Sequence, residues 1–465
     1  MTVQEPVSSK AIESAVIEKV LTRLVPFLAI LYVFNLLDRG NVGIAKVAMM
    51  KDLAFSDRVY GLGAGIFFIG YFIFEVPSNL IMERVGARRW IARIMLSWGA
   101  ISTCMMFVRT PFSFYALRFL LGVAEAGFYP GILLYLTYWV PGKARARVIA
   151  RFLAFTGVMS LIGGPLGGRL LALDGVSGLH GWQWLFMMEG TPSILLAFVV
   201  LFWLPDRPAR ASWLSPEEKG WITESLAQEE RAGQQVKHLS FKVALSEPRI
   251  LHLCLIFFLT AVAGNAVGSF APEMLKLRSG APGHQWTDSY VATIGTIPGV
   301  IGALAMVFSA TQSDRSGKRR SFVLIGYIIA GLGYLLCGFV SGPNATPAIL
   351  TLVALSINAL GERSAAGSYW ALTTNLMGAR AAAGGIAFIN SVGNLGGFFG
   401  PILMAEFKTR THGGFREGLC MAAGLFFAAA FAAYLLRRDP PVHPSPEEQF
   451  VEETAAASQP EPHIQ

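Results

Sequence analysis

The sequence predicts an all-α polytopic membrane protein with twelve transmembrane helices in two six-helix halves. Of its 465 residues, 53% are hydrophobic and only 15% are charged, whereas a soluble domain carries roughly 25% charged residues. The apolar residues occur in runs of about 20, which is the length that spans a hydrocarbon core of about 30 Å. One polar segment in the middle of the chain divides these runs six and six.

Each apolar run is predicted to be a helix, because a lipid-exposed span must be a helix or a closed barrel strand and none of these runs alternates with a period of two. In chain order, the spans are predicted near residues 24–46, 59–82, 90–108, 111–137, 148–172, 183–204, 250–272, 289–311, 321–341, 347–372, 384–404 and 416–436. The first span contains charged residues and no small-residue cleavage site, so we do not expect a cleavable signal peptide.

The polar segment divides the chain into four expected units. These are an N-terminal half (1–205), a cytoplasmic central loop (206–249), a C-terminal half (250–438) and a disordered cytoplasmic tail (439–465). Within the loop, Ser215 followed by Pro216 and two glutamates predicts the start of a helix. The tail is rich in Pro, Glu and Gln, which is typical of disorder.

Basic residues in the short loops predict the orientation of the chain. The richer loops lie on the side of both termini and carry Arg84, Arg88, Arg89, Lys143, Arg145, Arg147, Arg151, Arg315, Lys318, Arg319, Arg320 and Arg380. The alternate loops carry Lys51, Arg58, Arg109, Lys276, Arg278, Lys408, Arg410 and Arg416. Both termini are therefore expected in the cytoplasm, with the chain in the inner membrane of a bacterium. This bias also accounts for the net charge of +8, so no nucleic-acid partner is expected.

Enzymatic motifs are missing from the sequence. There is no HExxH pair, phosphate-binding loop or histidine cluster, so we expect neither catalysis, a metal nor a cofactor. The four cysteines are scattered singly in apolar stretches and are expected to be buried bystander thiols. The central loop is also too short for the sizeable ligand or signalling domain that a receptor requires.

A short motif follows both the second and the eighth predicted spans, which are equivalent positions in the two halves. The pattern is acid-Arg-x-Gly-x-Arg-Arg. The first copy contains Glu83, Arg84, Gly86 and Arg88, and the second contains Asp314, Arg315, Gly317 and Arg319. A positive-inside bias explains the arginines but not the repeated acid and glycine. The glycine permits a tight turn, and the acid can pair with a cation or a helix end. The repeated loop resembles the signature of the major facilitator superfamily, which implies that fold and a gating role for the loop.

Charges inside the predicted spans mark the expected site, because each costs about 2.5–3.5 kcal/mol at a helix centre on insertion scales. Asp38 and Arg39 lie deep in span one. Arg118 and Glu125 lie seven residues apart in span four, so both project from the same helix face. The four residues are formally neutral together. Protonation of both carboxyls would leave two guanidiniums free to bind a carboxylate. The alternative interpretation is a structural ion-pair network without a transport role.

The residues around these charges resemble the anion:cation symporter family. The similar runs are residues 37–43, 70–80, 118–131, 182–190 and 390–397. The resemblance covers essentially all twelve spans and is most specific in the first half. Its nearest branch is the bacterial permeases for tartrate, phthalate and similar carboxylates.

The resemblance implies roles for individual residues. Arg39 would contact the substrate carboxylate, and Arg118 would be coupled to Glu125. Asp38 and Glu125 would be the protonation sites, and Tyr71 would donate a hydrogen bond to substrate from span two. From span eleven, Asn390 or Asn394 would bind polar groups of the substrate, and because they lie at i and i+4 the sequence leaves both open. Glu75, one turn beyond Tyr71, is interpreted as a packing or gating contact.

Span ten contains Glu362 and Arg363, where the resemblance leads us to expect small or apolar residues. Adjacent side chains point about 100° apart on a helix, so these two cannot simply pair with each other. Either they tune substrate choice from the second half, or each finds a partner on a neighbouring helix. Ser368 and Trp370 can supply polar and stacking contacts, although a tryptophan in a membrane helix more often serves packing.

The predicted function is secondary active transport, with proton-coupled uptake of a small organic carboxylate by alternating access. An anion exchanger or facilitator of the same fold is the alternative. The substrate stays open among aromatic acids, sugar acids and hydroxy-dicarboxylates. The expected partners are the anion, protons and the lipid bilayer, and we expect a functional monomer.

Overall fold

The computed structural model describes residues 9–234, 248–340 and 345–436. The described part is helical, without strands, as a membrane interior requires of a chain that must satisfy its own backbone hydrogen bonds. The prediction of an all-α membrane fold is therefore confirmed. The predicted disordered tail lies outside the described residues.

The first half and the central loop contain ten α-helices among the described residues. They are α1 (Ser9–Lys19), α2 (Val25–Leu53), α3 (Asp57–Val85), α4 (Ala87–Cys104), α5 (Pro111–Glu125), α6 (Phe128–Thr137), α7 (Gly142–Ala154), α8 (Thr156–Leu171), α9 (Gly181–Trp203) and α10 (Pro216–Gln234). A π-helical turn at Val20–Leu24 joins α1 to α2. The predicted helix start in the central loop is confirmed, since α10 begins at Pro216.

The described part of the second half contains α11 (Pro248–Gly268), α12 (Ala271–Arg278), α13 (Asp288–Ile294), α14 (Ile297–Ser316), α15 (Arg319–Phe339), α16 (Ala345–Arg410) and α17 (Arg416–Leu435). Helix α16 covers predicted spans ten and eleven. Both Tyr369 and Gly393 of α16 pack against Phe257. A straight helix would separate them by about 36 Å, so the chain folds back between them.

Ten helical stretches in the described part are long and apolar enough to cross a membrane, and some of them, such as Pro111–Thr137, join two consecutive helices. The other two predicted spans correspond to α7 with α8, which break at Phe155, and to the first part of α16. The halves meet where α3 packs against α16, α8 against α13 and α2 against α12.

The predicted span 111–137 is not one continuous helix, which corrects the sequence interpretation. Helix α5 ends at Glu125, and α6 starts after Gly127, whose φ of 84° lies in the left-handed region that favours glycine. A β-carbon on Gly127 would lie 2.5 Å from the Ser78 hydroxyl oxygen of α3. The close approach of α3 therefore requires a glycine here, and the break leaves Glu125 at the end of a helix inside the bundle.

Helices α1 and α10 pack together at one end of the bundle, which we call the inner end; the opposite end is the outer end. Lys19 Nζ lies 2.7 Å from the Glu218 carboxylate, and the Ser215 backbone N–H donates to the same carboxylate over 2.8 Å. Burial raises the pKa of Glu218, but these hydrogen bonds outweigh it and hold the pKa below its ordinary value.

Replacing Gly122 by Ala is expected to destabilise the first half, because the added β-carbon would lie 2.0 Å from the Phe67 carbonyl oxygen. Helices α3 and α5 would have to move apart, and overpacking of this kind costs about 1–3 kcal/mol. Thermal unfolding in detergent measures the loss. Gly424→Ala is the matched control, since a β-carbon there meets no described atom within 4 Å. Equal unfolding temperatures for the two variants would contradict this packing.

Candidate functional site

An ion pair between α2 and α5 forms the centre of the site. Arg39 Nε donates to Glu125 Oε2 over 2.8 Å, and Asn35 Nδ2 donates to the same oxygen over 2.8 Å. The Glu125 side chain is fully buried, whereas 28% of the Arg39 side chain is exposed. Arg39 Nη2 has no hydrogen-bond partner in the described part. The guanidinium is therefore held by one edge and retains donor capacity for a second anion.

Aromatic rings support the two arginines of the site. The Arg39 guanidinium lies 4.6 Å from the ring centre of Tyr71 and 5.4 Å from that of Phe67. The Arg118 guanidinium lies 4.8 Å from the same Phe67 ring. Cation–π contacts of this kind stabilise desolvated cations. Tyr71 is thus buried beside Arg39, and its contact with substrate stays a prediction.

Arg118 is held differently from Arg39. It donates from Nε to the Gly63 carbonyl over 3.1 Å and from Nη2 to the Ala64 carbonyl over 3.2 Å. Among the described acids, none forms an ion pair with it, although the charges of Asp38 and Glu125 act on it through space. The structure therefore places Arg118 as a cation anchored to the backbone of α3 rather than as a direct partner of Glu125.

Asp38 is hydrogen-bonded to α4 and α2 and not to either arginine in the described part. Its Oδ1 accepts hydrogen bonds from the Ser102 hydroxyl and, over 3.2 Å, from Asn41 Nδ2. Its Oδ2 has no partner in the described part. Glu189 of α9 is also fully buried near Asp38, and neither of its carboxylate oxygens has a hydrogen-bond partner there. From the sequence, Glu189 is interpreted as a structural residue, because it lies near an end of the predicted span 183–204.

Glu75 connects the two halves. It accepts hydrogen bonds from Asn390 Nδ2 over 3.3 Å and from the Ser391 hydroxyl over 3.1 Å, both on α16. Asn394, one turn further, is half-buried and makes no hydrogen bond with a described residue. Asn390 therefore faces α3 in this conformation, which agrees with the interpretation of Glu75 as a contact between halves. A substrate role for either asparagine remains a prediction.

The predicted specificity residues of α16 separate into two environments. Trp370 packs 5.2 Å from the ring centre of Phe257, and the buried Ser368 hydroxyl has no hydrogen-bond partner in the described part. The Glu362 carboxylate faces Gly264 of α11. The Arg363 side chain is exposed. No ion pair joins either charge to a described residue, and both interpretations of the two charges stay predictions.

Both copies of the repeated loop motif end a helix at a glycine with positive φ. The φ angle is 97° at Gly86 and 66° at Gly317. Arg88 anchors the first loop, with its backbone N–H donating to Asp206 Oδ1 over 2.9 Å. Glu83, Arg84 and Arg315 are exposed, Arg319 is half-buried, and the side chain of Asp314 is not described. The glycines thus form the expected turns, while the gating role stays a prediction.

Four charged residues at the outer end form a closed ring of alternating sign, which we call the outer ring. It consists of Lys46 and Asp57 from the first half and Glu273 and Lys408 from the second. The Glu273 carboxylate lies 2.5 Å from Lys46 Nζ and 2.6 Å from Lys408 Nζ. Asp57 lies 3.3 Å from Lys46 Nζ and 2.8 Å from Lys408 Nζ. Both lysines are nearly fully buried, so the ring closes the outer end.

The sequence interpretation missed the outer ring, because its members lie at the ends of spans where loop charges are ordinary. Tyr60 strengthens the closure by donating from its hydroxyl to the Ser269 carbonyl over 3.0 Å, again between halves. The outer end is thus closed, while 28% of the Arg39 side chain remains exposed. Two helical halves that enclose buried charges and are joined by ion pairs at one end are typical of a secondary transporter.

Comparison with known proteins agrees with this class. A family model described as Major Facilitator Superfamily matches residues 28–401 and, in a second match, residues 253–460. The chain therefore belongs to this superfamily, as the repeated loop predicted. It is a multi-pass secondary transporter.

Relatives and solved structures extend the comparison. A candidate tartrate transporter of Agrobacterium vitis is 42% identical over 438 residues, which are 94% of this chain and 95% of the relative. A quinolone resistance transporter of Acinetobacter baumannii is 38% identical, covering 89% and 92% of the two chains. The xylose transporter of E. coli in its inward open conformation has a TM-score of 0.72 at 16% identity, covering 91% and 97%. At that identity the structural likeness shows the fold alone.

Proposed function

We propose that this protein imports a small organic carboxylate together with protons across the bacterial inner membrane, as a monomer with both termini in the cytoplasm. The observation that carries the proposal is the ion pair between Arg39 and the fully buried Glu125. A buried pair is costly to desolvate, and an acid beside an incompletely satisfied arginine makes the pair a proton-dependent anion site.

The physical step is a competition for one guanidinium. While Glu125 is ionised, it occupies the Nε edge of Arg39 at 2.8 Å. A proton on Glu125 removes that negative charge, and the guanidinium then offers its fork to a substrate carboxylate. Loss of substrate restores the pair and returns the proton. Asp38 is the second proposed proton site, and Arg118 keeps the local potential positive when both acids are neutral.

The relatives favour a carboxylate as substrate. The Agrobacterium vitis relative, at 42% identity over nearly the whole chain, is named for tartrate, a hydroxy acid with two carboxylates. A hydroxy acid suits a site that combines arginine with Tyr71 and the asparagines of α16. The closed outer ring leaves release into the cytoplasm as the proposed next step of the cycle.

Uptake into proteoliposomes tests the proposal. Labelled carboxylates, including L-tartrate, are supplied outside vesicles with an alkaline interior, with and without a protonophore. A gradient of one pH unit corresponds to about 1.4 kcal/mol per proton, so one coupled proton supports about tenfold accumulation. Accumulation that collapses with the protonophore supports symport. Transport that only equilibrates, or that requires an anion inside the vesicle, indicates a facilitator or an exchanger and overturns the proton coupling.

A further inference from the structure

We infer that the protein selects dicarboxylates, with Arg39 of the first half holding one carboxylate and Arg363 of the second half holding the other. The inference rests on the proposed function. It adds a substrate class and assigns Arg363 as the residue that distinguishes two carboxylates from one.

Arg363 lies on α16, which belongs to the second half. Its side chain is exposed, and its Cγ lies 2.7 Å from the point where a β-carbon on Gly302 of α14 would sit. A glycine at 302 therefore leaves the space through which the arginine side chain extends. The guanidinium makes no hydrogen bond or ion pair with a residue in the described ranges. An unpaired cation at this depth is costly, which is why such residues usually have a partner or a ligand.

Arg363 lies close enough to the first half for its charge to act on a residue there. Tyr32 of α2 lies within electrostatic reach of both Arg363 and Arg39. Tyr32 and Arg39 are seven residues apart on one helix and project from the same face. The Tyr32 ring packs 5.2 Å from that of Tyr129, which fixes it within the first half. The two guanidiniums therefore approach the same tyrosine from opposite halves.

Glu362 and Arg363 act on each other electrostatically, but no hydrogen bond or ion pair joins them in the described part. The Glu362 carboxylate lies 3.4 Å from the point where a β-carbon on Gly264 of α11 would sit, and its charge acts on Tyr327 and Tyr334 of α15. Glu362 thus points toward α11 and α15, whereas the charge of Arg363 acts both on Tyr334 of α15 and on Tyr32 of the first half. Each half therefore offers one guanidinium to an anion. Arg39 is available when Glu125 is protonated, and Arg363 is available whether or not Glu125 is protonated.

A dicarboxylate suits one guanidinium from each half. Each guanidinium can take one carboxylate through a bidentate, charge-assisted contact. A monocarboxylate bound at Arg39 would leave Arg363 uncompensated. A ligand that contacts both halves also binds best when they are close together, so its binding energy would favour the occluded state needed for alternating access.

Binding to the purified full-length protein tests the inference through pairs of ligands that differ by one carboxyl group. The pairs are L-tartrate and glycerate, succinate and propionate, and phthalate and benzoate, each titrated calorimetrically. For the best-bound pair, the wild type should prefer the dicarboxylate. Arg363→Gln should weaken dicarboxylate binding about 10- to 100-fold and leave the monocarboxylate nearly unchanged. Arg363→Lys, which keeps the charge without the fork, should fall between them.

Arg416→Gln is the control, because Arg416 lies against Phe339 at the start of α17, away from the site. Unfolding temperatures measured without ligand identify any variant that fails to fold, and Arg363→Lys then carries the test. Equal binding within every pair, or equal weakening of both members by Arg363→Gln, overturns the inference while the proposed function stands. If the wild type binds no carboxylate, both the inference and the proposed function fail.

Discussion

Replacing Glu125 by Gln is expected to abolish proton-driven accumulation of the carboxylate while leaving its counterflow intact. Glutamine has nearly the shape of a protonated glutamate, so Asn35 and Arg39 keep a neighbouring carbonyl oxygen but lose the negative charge that competes with substrate. The site then stays ready for an anion and cannot return a proton. With a gradient of one pH unit, accumulation should fall from about tenfold to simple equilibration.

Two controls separate coupling from binding and from folding. Arg39→Ala should lose accumulation and counterflow together, because it removes the proposed anion ligand itself. Glu224→Gln should behave as wild type, since Glu224 is an exposed residue of α10 that contacts only Gln228 in the described part. Gradient-driven accumulation that survives in Glu125→Gln would show that the proton is carried elsewhere, with Asp38 and the buried Glu189 as the next residues to test.

Replacing Glu273 by Gln is expected to open the outer end of the transporter. Glu273 is paired with both lysines of the outer ring, so its loss leaves two buried cations sharing Asp57 alone. Removing one member of a buried ion pair costs about 3–5 kcal/mol. A cost of about 3 kcal/mol confined to the closed state would shift the ratio of open to closed molecules roughly 100-fold.

Thiol labelling from the outer side measures this shift. In a background without the four native cysteines, Val42→Cys places a thiol one helical turn deeper than Lys46, at a position that is 6% exposed. A membrane-impermeant reagent should label it much faster in Glu273→Gln than in the parent. Adding Lys408→Gln should slow labelling again, because one cation and one anion would then remain.

The chain offers a matched control for the ring. Glu406 also pairs with a residue of the other half, Arg58, over 3.0 Å at the outer end, but the Arg58 side chain is 62% exposed. Exposed pairs contribute about 0–1 kcal/mol, so Glu406→Gln should change labelling only slightly. Equal labelling rates in Glu273→Gln and Glu406→Gln would mean that the outer ring does not hold the closed state.

Much of the architecture could be predicted because it depends on local properties. The length of each apolar run sets whether it can span the bilayer, and the cost of a charge in hydrocarbon is high at any depth. These properties identified the helical membrane fold and selected Arg39, Arg118 and Glu125 before any contact was known. The repeated glycine of the loop motif likewise predicted a turn, and both copies adopt a positive φ.

The partners of these residues were not predictable from the sequence. Helical periodicity placed Arg118 and Glu125 on one face, yet Glu125 pairs with Arg39, 86 residues away, while Arg118 bonds to the backbone of α3. The helix break after Glu125 depends on the close approach of α3 to Gly127. In the sequence, the glycine itself is the one local indication of that break.

By itself, the sequence determined that this chain crosses the membrane repeatedly and that a few costly charges lie within it. Only the tertiary structure decided which charges neutralise one another and which, like Arg363, remain available. It also brought Lys46, Asp57, Glu273 and Lys408 together from both halves. The physical reason is that spanning depends on the composition of one segment, whereas an ion pair depends on a separation of a few ångströms between helices far apart in the chain.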